Sequence, residues 1–168
     1  MLWHVPADFR HFKAETYGCP IIMGRASFEA LGGALPGRLN IVLSRDPDYF
    51  PVADSQQVRA ARSLDEAVQI GDEACAETGA QTVWITGGGQ VYRQAMPLVD
   101  ELVVTELDLD VAKTADISTL VTAPQIDPEV WEIDPSRSDA TWRPQSGDAK
   151  WRVATYIRRD SRNRKTSL

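Results

Sequence analysis

A single carboxylate lies among aromatic residues near the start of the chain, in the stretch MLWHVPADFRHF. Asp8 stands between Trp3, Phe9 and Phe12, at a point where the pattern predicts the start of a helix. We expect Asp8 to be buried among these residues. A buried carboxyl group loses solvation of its charged form and can supply or relay a proton near neutral pH. The alternative is structural, because an aspartate in a first helical turn caps free N–H groups and favours the helix dipole. The local pattern leaves both roles open.

Three glycines, Gly87, Gly88 and Gly89, follow a predicted strand and precede a predicted helix in WITGGGQVY. Glycines allow a backbone to approach a ligand closely, and the N–H groups that open the next helix attract phosphate. The spacing matches neither the GxGxxG dinucleotide motif nor the Walker P-loop. The alternative is a tight turn between strand and helix.

Arginines and serines follow two further predicted strands. Arg25 and Ser27 come after the apolar run CPIIMG, and Ser44 and Arg45 end the strand in LNIVLSR. Anion-binding groups at several strand ends indicate a dinucleotide phosphate site, although any single arginine is as readily a solvated surface charge. Arg38 follows the turn in LPGR, where it can bind a substrate carboxylate or simply belong to the turn.

The elements that must position these residues alternate between helix and strand. Strands followed by helices, and then a β-rich end, predict an α/β sheet that is mostly parallel, with ligands at the carboxyl ends of its strands. The residue patterns predict helices over 7–18, 25–33 and 63–79 and after the glycines, and strands over 19–24, 39–44, 81–86, 100–109 and 150–159, with 110–150 rich in loops.

Length and charge limit the classes of function. The 168 residues suffice for one domain, predicted over 1–159, and the basic segment 160–168 is expected to be a disordered tail. A net charge of −6 argues against a nucleic-acid binder, and neither a membrane-length apolar run nor a secretory signal is visible. Cys19 and Cys75 lack metal-site or disulfide spacing and are typical of reduced thiols in a cytoplasmic protein.

Five stretches, in order, resemble dihydrofolate reductase: LWHVPADFRHFKAET, PIIMGRASFEALG, LPGRLNIVLSR, VWITGGGQVY and ELVVTELD, with KWRVATYIRR as a matching last strand. The resemblance implies a single α/β domain with a central mixed, mostly parallel sheet flanked by helices, where NADPH and folate meet in a cleft. It implies hydride transfer from NADPH to 7,8-dihydrofolate, giving tetrahydrofolate for one-carbon metabolism. It further implies a cytoplasmic monomer that binds antifolate-type inhibitors and has no metal, nucleic-acid or membrane partner.

The resemblance also implies roles residue by residue. Asp8 would bond the pterin ring, Thr105 would be its partner hydroxyl, and Trp3 would help to hold an ordered water. A cis peptide is expected between Gly87 and Gly88. The residues implied for substrate binding are Phe12, Lys13, Leu31, Leu35 and Arg38, the last for the glutamate α-carboxylate. Those implied for the cofactor are Arg25, Ala26, Ser27, Ser44, Arg45, Gly87, Gly88, Gly89, Gln90, Val91 and Tyr92.

The sequence also departs from the family pattern. Thr86 replaces a frequent aliphatic residue, Gln90 stands where some members have arginine, and Gly33 where some relatives have a second basic residue. The family's first strand and the loop that covers the nicotinamide would lie upstream of Met1. We therefore expect an N-terminally incomplete piece of a longer chain. The alternatives are a remnant that at most binds NADPH, completion by a second copy, or a related pteridine or pyrimidine reductase.

Overall fold

The computed structural model describes residues 3–49, 57–111 and 121–159, so the predicted tail over 160–168 lies outside the described residues. The chain divides into two compact units. The first unit comprises Met1–Phe12, Leu98–Leu120 and Gln125–Leu168, and the second comprises Lys13–Pro97 and Val121–Pro124. The helices are α1 Pro6–Thr16, α2 Arg25–Leu31, α3 Leu64–Thr78 and α4 Gly89–Ala95; the strands are β1 Ile21–Gly24, β2 Asn40–Leu43, β3 Val58–Ala61, β4 Trp84–Ile85, β5 Glu101–Leu107, β6 Trp131–Ile133, β7 Arg143–Ser146 and β8 Ala149–Arg158.

The second unit is built on a parallel sheet with the strand order β3-β2-β1-β4. Its two central strands are short apolar runs, and Ile21, Ile22, Ile41 and Val42 have no exposed surface. Such runs are typical of strands covered on both faces. Since all four strands run in the same direction, the residues that follow them meet at one edge of this sheet.

Helix α3 follows its sequence signals closely. The Ser63 side chain accepts a hydrogen bond from the Glu66 N–H at 3.1 Å, and Glu66 in return accepts one from the Arg62 N–H at 2.7 Å. These bonds satisfy N–H groups that the first turn leaves free. The helix ends at Gly79, whose φ of +80° suits a left-handed cap.

The first unit holds an antiparallel sheet with the order β5-β8-β6, and β7 also pairs with β8. Thr105 lies at the middle of β5, opposite Val153 of β8. Val5, Ala149, Trp151 and Val153 form the buried cluster of this unit, hereafter the first-unit core. This cluster packs the start of the chain against the last strand, and Trp3 and Ala7 lie against it.

The predicted α/β class is confirmed, and the parallel and antiparallel strands within the described ranges form two separate sheets. Three strands are missing from the prediction. β3 has two exposed positions, and β6 and β7 fall within 110–150, which was expected to be loops. The strand predicted over 81–86 is shorter and covers Trp84–Ile85. No helix within the described ranges is long and apolar enough to cross a membrane.

Candidate functional site

The segment that carries Trp3 and Asp8 is fixed to the turn between β7 and β8. The His4 N–H donates to Asp148 Oδ2 at 2.7 Å, and the Asp148 N–H donates back to the His4 carbonyl at 3.0 Å. The Ala7 N–H donates to Ser146 Oγ at 3.0 Å. The position of Asp8 therefore depends on a turn far along the chain, which no local pattern around residue 8 reveals.

Gly147, in that turn, is required by both its conformation and its contacts. Its φ is +65°, and an added Cβ would lie 2.1 Å from the His4 carbonyl oxygen. We expect Gly147→Ala to lower the free energy of unfolding by about 3 kcal/mol, because the substitution adds a backbone clash to the strain of a left-handed residue. Urea unfolding measures the loss.

Gly79→Ala is the matched control, since Gly79 has φ +80° and no atom within 4 Å of an added Cβ. It should cost about 1 kcal/mol from strain alone. Equal losses for the two variants would contradict the role assigned to the contact between Gly147 and His4.

Asp8 lies in the first turn of α1 and is half-buried, so the expectation of a buried carboxyl is wrong. The reason is the surface of α1 itself, where only Thr16 is buried and Phe12 keeps 36% exposure. Within the described ranges, the Asp8 carboxylate takes part in no hydrogen bond and no ion pair, whereas its own N–H donates to Val5 O at 3.0 Å. Its oxygens are thus not used for capping and remain available as acceptors for a ligand.

Thr105 faces the cluster that also holds the chain start. Val103 and Leu107 pack against the first-unit core, as do Trp3 and Ala7. Because side chains alternate along a strand, Thr105 shares the face of Val103 and Leu107. Both residues lie in the described part of the chain, and no direct hydrogen bond joins Thr105 to Asp8. Their joint action on a substrate stays a prediction.

In the second unit, the turns after β1 and β4 are joined directly. The Gly24 N–H donates to Gly87 O at 2.8 Å. Just before that turn, Ile22 O accepts both the Thr86 N–H at 2.8 Å and the Thr86 hydroxyl at 3.2 Å. The peptide between Gly87 and Gly88 is cis, which confirms that expectation from the resemblance. The polar Thr86 side chain is thus satisfied within the sheet.

Close packing leaves no room for side chains around this turn, which we call the glycine cradle (Gly24 and residues 87–89). A Cβ on Gly88 would lie 3.1 Å from Ser27 Oγ, and one on Gly24 would lie 3.2 Å from Val91 Cγ2. The cradle therefore brings the starts of α2 and α4 together over bare backbone. A tight turn requires these glycines, and the same bare backbone lets a ligand approach closely.

Tyr92 closes one side of the cradle. An added Cβ on Gly87, whose φ is +110°, would lie 3.4 Å from the Tyr92 ring and hydroxyl. Tyr92 keeps 38% exposure, while desolvation raises the pKa of its hydroxyl. The phenol therefore stays neutral and can donate a hydrogen bond at physiological pH.

A contact that the sequence did not reveal also covers the cradle. The space beside Gly89 is taken by Val121 Cγ1 and Thr122 O, 2.7 and 2.8 Å from an added Cβ. Arg93 Nη1 donates to the same Thr122 carbonyl at 3.3 Å. Val121 and Thr122 thus contact the start of α4 from a segment distant in the chain, for which the sequence gives no local signal.

The two arginines predicted for a cofactor phosphate differ in their partners. Arg25 Nε donates to Glu29 Oε1 at 2.8 Å and Nη1 to Asp46 Oδ2 at 3.1 Å, and the guanidinium stacks 4.7 Å from the Tyr49 ring centroid. Glu29 and then Asp46 raise the pKa of Arg25. Arg45 is exposed and has neither a hydrogen bond nor an ion pair to any described residue.

The donor set fits a phosphorylated dinucleotide in part. The cradle, the half-buried Ser27 and Ser44, and the exposed Arg45 offer bare backbone, hydroxyls and a cation at one edge of the parallel sheet. Helices α2 and α4 have only seven residues each, so their dipoles contribute little to phosphate binding. Arg25 fits a phosphate only by exchanging a carboxylate partner. The exposed Ala26 and Gln90 lie beside these groups in the chain and show no specific contact.

Arg38 is buried to 6% exposure in the turn before β2. Its Nη1 donates to Thr16 Oγ1 at 2.8 Å and its Nε to Pro36 O at 3.2 Å. Burial lowers the pKa of Arg38, although a guanidinium keeps its charge at neutral pH. The Arg38 guanidinium is thus a fixed cation that hydrogen-bonds the turn. Its binding of a substrate carboxylate stays a prediction.

Asn40 positions this turn and was missed by the sequence analysis. Its fully buried amide accepts the Leu35 N–H at 2.8 Å and donates to Leu35 O at 3.0 Å, Arg38 O at 2.9 Å and Gln57 O at 3.3 Å. The available signal was an amide at the first position of the apolar strand NIVL. A buried amide must find partners, and here they are the backbone of the turn.

We expect Asn40→Ala to lower the free energy of unfolding by about 3 kcal/mol, because one backbone N–H and the carbonyls that share the amide NH2 lose their partner inside the protein. Urea unfolding measures this. Gln57→Ala is the control, since Gln57 is exposed and contributes only its backbone carbonyl to Asn40. A loss below about 1 kcal/mol for Asn40→Ala would contradict the assigned role.

The remaining predicted substrate residues occupy different environments. Leu35 packs against the buried cluster around Phe28, whereas Leu31 is 47% exposed and Lys13 Nζ lies 6.0 Å from the Tyr17 ring centroid. An open cavity of about 320 Å³ lies at the opposite end of the parallel sheet from the cradle, and Arg38 is the one predicted site residue in its lining. Within the described ranges, no group of three or more His, Cys, Asp or Glu side chains is arranged to hold a metal.

Comparisons with known proteins agree with this geometry. The family model described as dihydrofolate reductase matches residues 1–159. A dihydrofolate reductase of Mycobacterium tuberculosis is 34% identical over 159 residues, which cover 93% of this chain and 85% of that protein. A structure of dihydrofolate reductase from Enterococcus faecalis, complexed with NADP(H) and RAB-propyl, superposes with a TM-score of 0.71 at 28% identity, covering 95% of this chain and 86% of that one.

Two further relatives match over a shorter region. Dihydrofolate reductase type 3 of Salmonella typhimurium is 44% identical over 106 residues, which are 63% of this chain and 59% of that protein. A dihydrofolate reductase of Neisseria meningitidis is 47% identical over 112 residues, 66% of this chain and 63% of that protein. The matched region thus spans about three fifths of each of these two relatives.

Proposed function

This chain belongs to the dihydrofolate reductase family, and from that premise we propose that it reduces 7,8-dihydrofolate to 5,6,7,8-tetrahydrofolate with NADPH. The observation that carries the proposal is the glycine cradle, where the Gly24 N–H donates to Gly87 O at the carboxyl ends of two parallel strands. A dinucleotide is bound at this end of such a sheet.

The second unit supplies the proposed cofactor groups. The backbone of the cradle approaches the dinucleotide, and Ser27 and Ser44 bind its phosphates. Arg25 and Arg45 are suited to its 2′-phosphate, which Arg25 binds by exchanging a carboxylate partner. Tyr92, neutral and beside Gly87, lines the cradle near the nicotinamide. NADPH supplies the hydride when bound, and the protein's own contribution is to orient it and to exclude water.

The first unit supplies the carboxylate proposed to bind the pterin. The unpaired Asp8 carboxylate bonds and orients the pterin and favours protonation at N5, and a water delivers the proton. Thr105, on the face of β5 that packs towards Trp3 and Ala7, completes the hydrogen bonding of the pterin. Half-burial supports this role, since it leaves the carboxylate within reach of a water.

The substrate's acidic tail and aromatic ring have separate proposed partners. Arg38, held rigid by Thr16 and Pro36, binds the glutamate α-carboxylate. Leu35, with Phe12 and Leu31, contacts the benzoyl group and the pterin. Asn40 acts through Arg38 and Leu35 and is a positioning residue.

Product analysis tests the proposed reaction directly. Purified protein is incubated with NADPH and dihydrofolate, and tetrahydrofolate is separated by chromatography; a parallel incubation contains a ribosylamino-pyrimidine instead. The proposal predicts tetrahydrofolate formation that stops with a folate-analogue inhibitor. Turnover of the pyrimidine alone would assign the chain to the related reductases, and binding of NADPH without any product would make it a binding module.

A further inference from the structure

We propose that Asp46 determines how strongly the chain prefers NADPH over NADH, because its carboxylate occupies the edge of Arg25 that a 2′-phosphate would use. The inference rests on the proposed function for its cofactor. It concerns a residue to which neither the motifs nor the resemblance gives a role. Asp46 comes immediately after Arg45, just beyond the end of β2.

The geometry of the ion pair defines the competition. Glu29 accepts a hydrogen bond from Arg25 Nε, and Asp46 accepts one from Nη1. Two edges of one guanidinium therefore already have carboxylate partners. The Arg25 side chain is 43% exposed and that of Asp46 is 47% exposed, so a ligand phosphate can reach both. Tyr49, stacked on the guanidinium plane, limits how far Arg25 can turn to find another position.

Asp46 is also held in place by its own loop. The Asp46 N–H donates to Ser44 Oγ at 3.2 Å, and Asp46 Oδ1 accepts the Asp48 N–H at 3.0 Å. One carboxylate oxygen therefore fixes the loop while the other faces Arg25. A carboxylate fixed in this way cannot move aside without breaking a backbone contact.

The negative charge of Asp46 is expected to lower the affinity for NADPH and not the affinity for NADH. A 2′-phosphate placed on Arg25 meets the negative charge of Asp46 at close range, whereas the 2′-hydroxyl of NADH does not and can donate a hydrogen bond to a carboxylate. The wild-type chain should therefore discriminate between the two cofactors less than Arg25 and Arg45 alone would suggest. Removing the charge of Asp46 should restore discrimination.

Binding of adenosine fragments tests this without any turnover. Calorimetry compares adenosine 2′,5′-bisphosphate with 5′-AMP on the wild-type chain and on Asp46→Asn. The expected result is about a tenfold gain in affinity for the bisphosphate and less than a twofold change for 5′-AMP. In the Asp46→Asn background, Arg25→Ala should abolish the gain, because the freed guanidinium is its source.

Asp48→Asn is the matched control, since it removes the same charge from the same loop without touching Arg25. Equal gains for Asp48→Asn and Asp46→Asn would overturn the inference in favour of a general charge effect. No gain for Asp46→Asn, or no binding of either fragment by any variant, would also overturn it. Failure of dihydrofolate reduction would contradict the proposed function and leave the fragment result standing, so the two failures are distinguishable.

Discussion

Replacing Asp8 by asparagine is expected to lower kcat for dihydrofolate reduction at pH 7 by about 10²- to 10³-fold, the lower part of the range of roughly 10²- to 10⁴-fold that assisted proton transfer contributes. The amide keeps the size of the carboxyl group but cannot favour protonation of the pterin at N5. At acid pH the solvent supplies the proton, so the loss should be several-fold smaller at pH 5. Steady-state kinetics across this pH range measure both values.

Asp65→Asn is the control for this variant, because Asp65 also lies in a first helical turn but is exposed on α3. It should change kcat by less than twofold. An equal loss for Asp8→Asn at pH 5 and pH 7 would contradict a role in protonation and leave Asp8 with substrate binding alone.

Gly87→Ala is expected to weaken NADPH binding by about a hundredfold. The φ of +110° at Gly87 is strained for any residue with a Cβ, and the added atom would lie 3.4 Å from Tyr92. Relief of that strain moves the cradle backbone, including the carbonyl that accepts the Gly24 N–H. Quenching of protein fluorescence by NADPH gives the dissociation constants.

Gly18→Ala is the control for strain alone, since Gly18 has φ +81° and no atom within 4 Å of an added Cβ. It should lower stability and leave NADPH affinity within about twofold. If Gly87→Ala kept wild-type affinity for NADPH while folding normally, the cradle would be only a tight turn and the proposed cofactor site would be wrong.

The sequence predicted best those features that depend on neighbouring residues. The capping pair of Ser63 and Glu66, the stop at Gly79 and the buried apolar strands β1 and β2 all follow from local pattern. The cis peptide at Gly87 was expected from the family resemblance and not from the residues themselves.

The features that were missed depend on residues distant in the chain. Asn40 hydrogen-bonds the backbone of a turn, and the Ser146–Asp148 turn hydrogen-bonds His4 and Ala7. Val121 fills the space beside Gly89. The pairing of Arg25 with Asp46 joins residues 21 apart, so the sequence showed two charges without showing that they meet. Half-burial of Asp8 was likewise misjudged, because aromatic neighbours in sequence do not cover it in space.

The central claim is that this chain reduces dihydrofolate with NADPH, and one spectroscopic measurement tests it most directly. NADPH absorbance is followed with purified residues 1–168 and dihydrofolate, with and without a folate-analogue inhibitor, on protein shown to be folded by circular dichroism. The account predicts a steady loss of absorbance that requires dihydrofolate and stops with the inhibitor. Unchanged absorbance in the folded protein would contradict it.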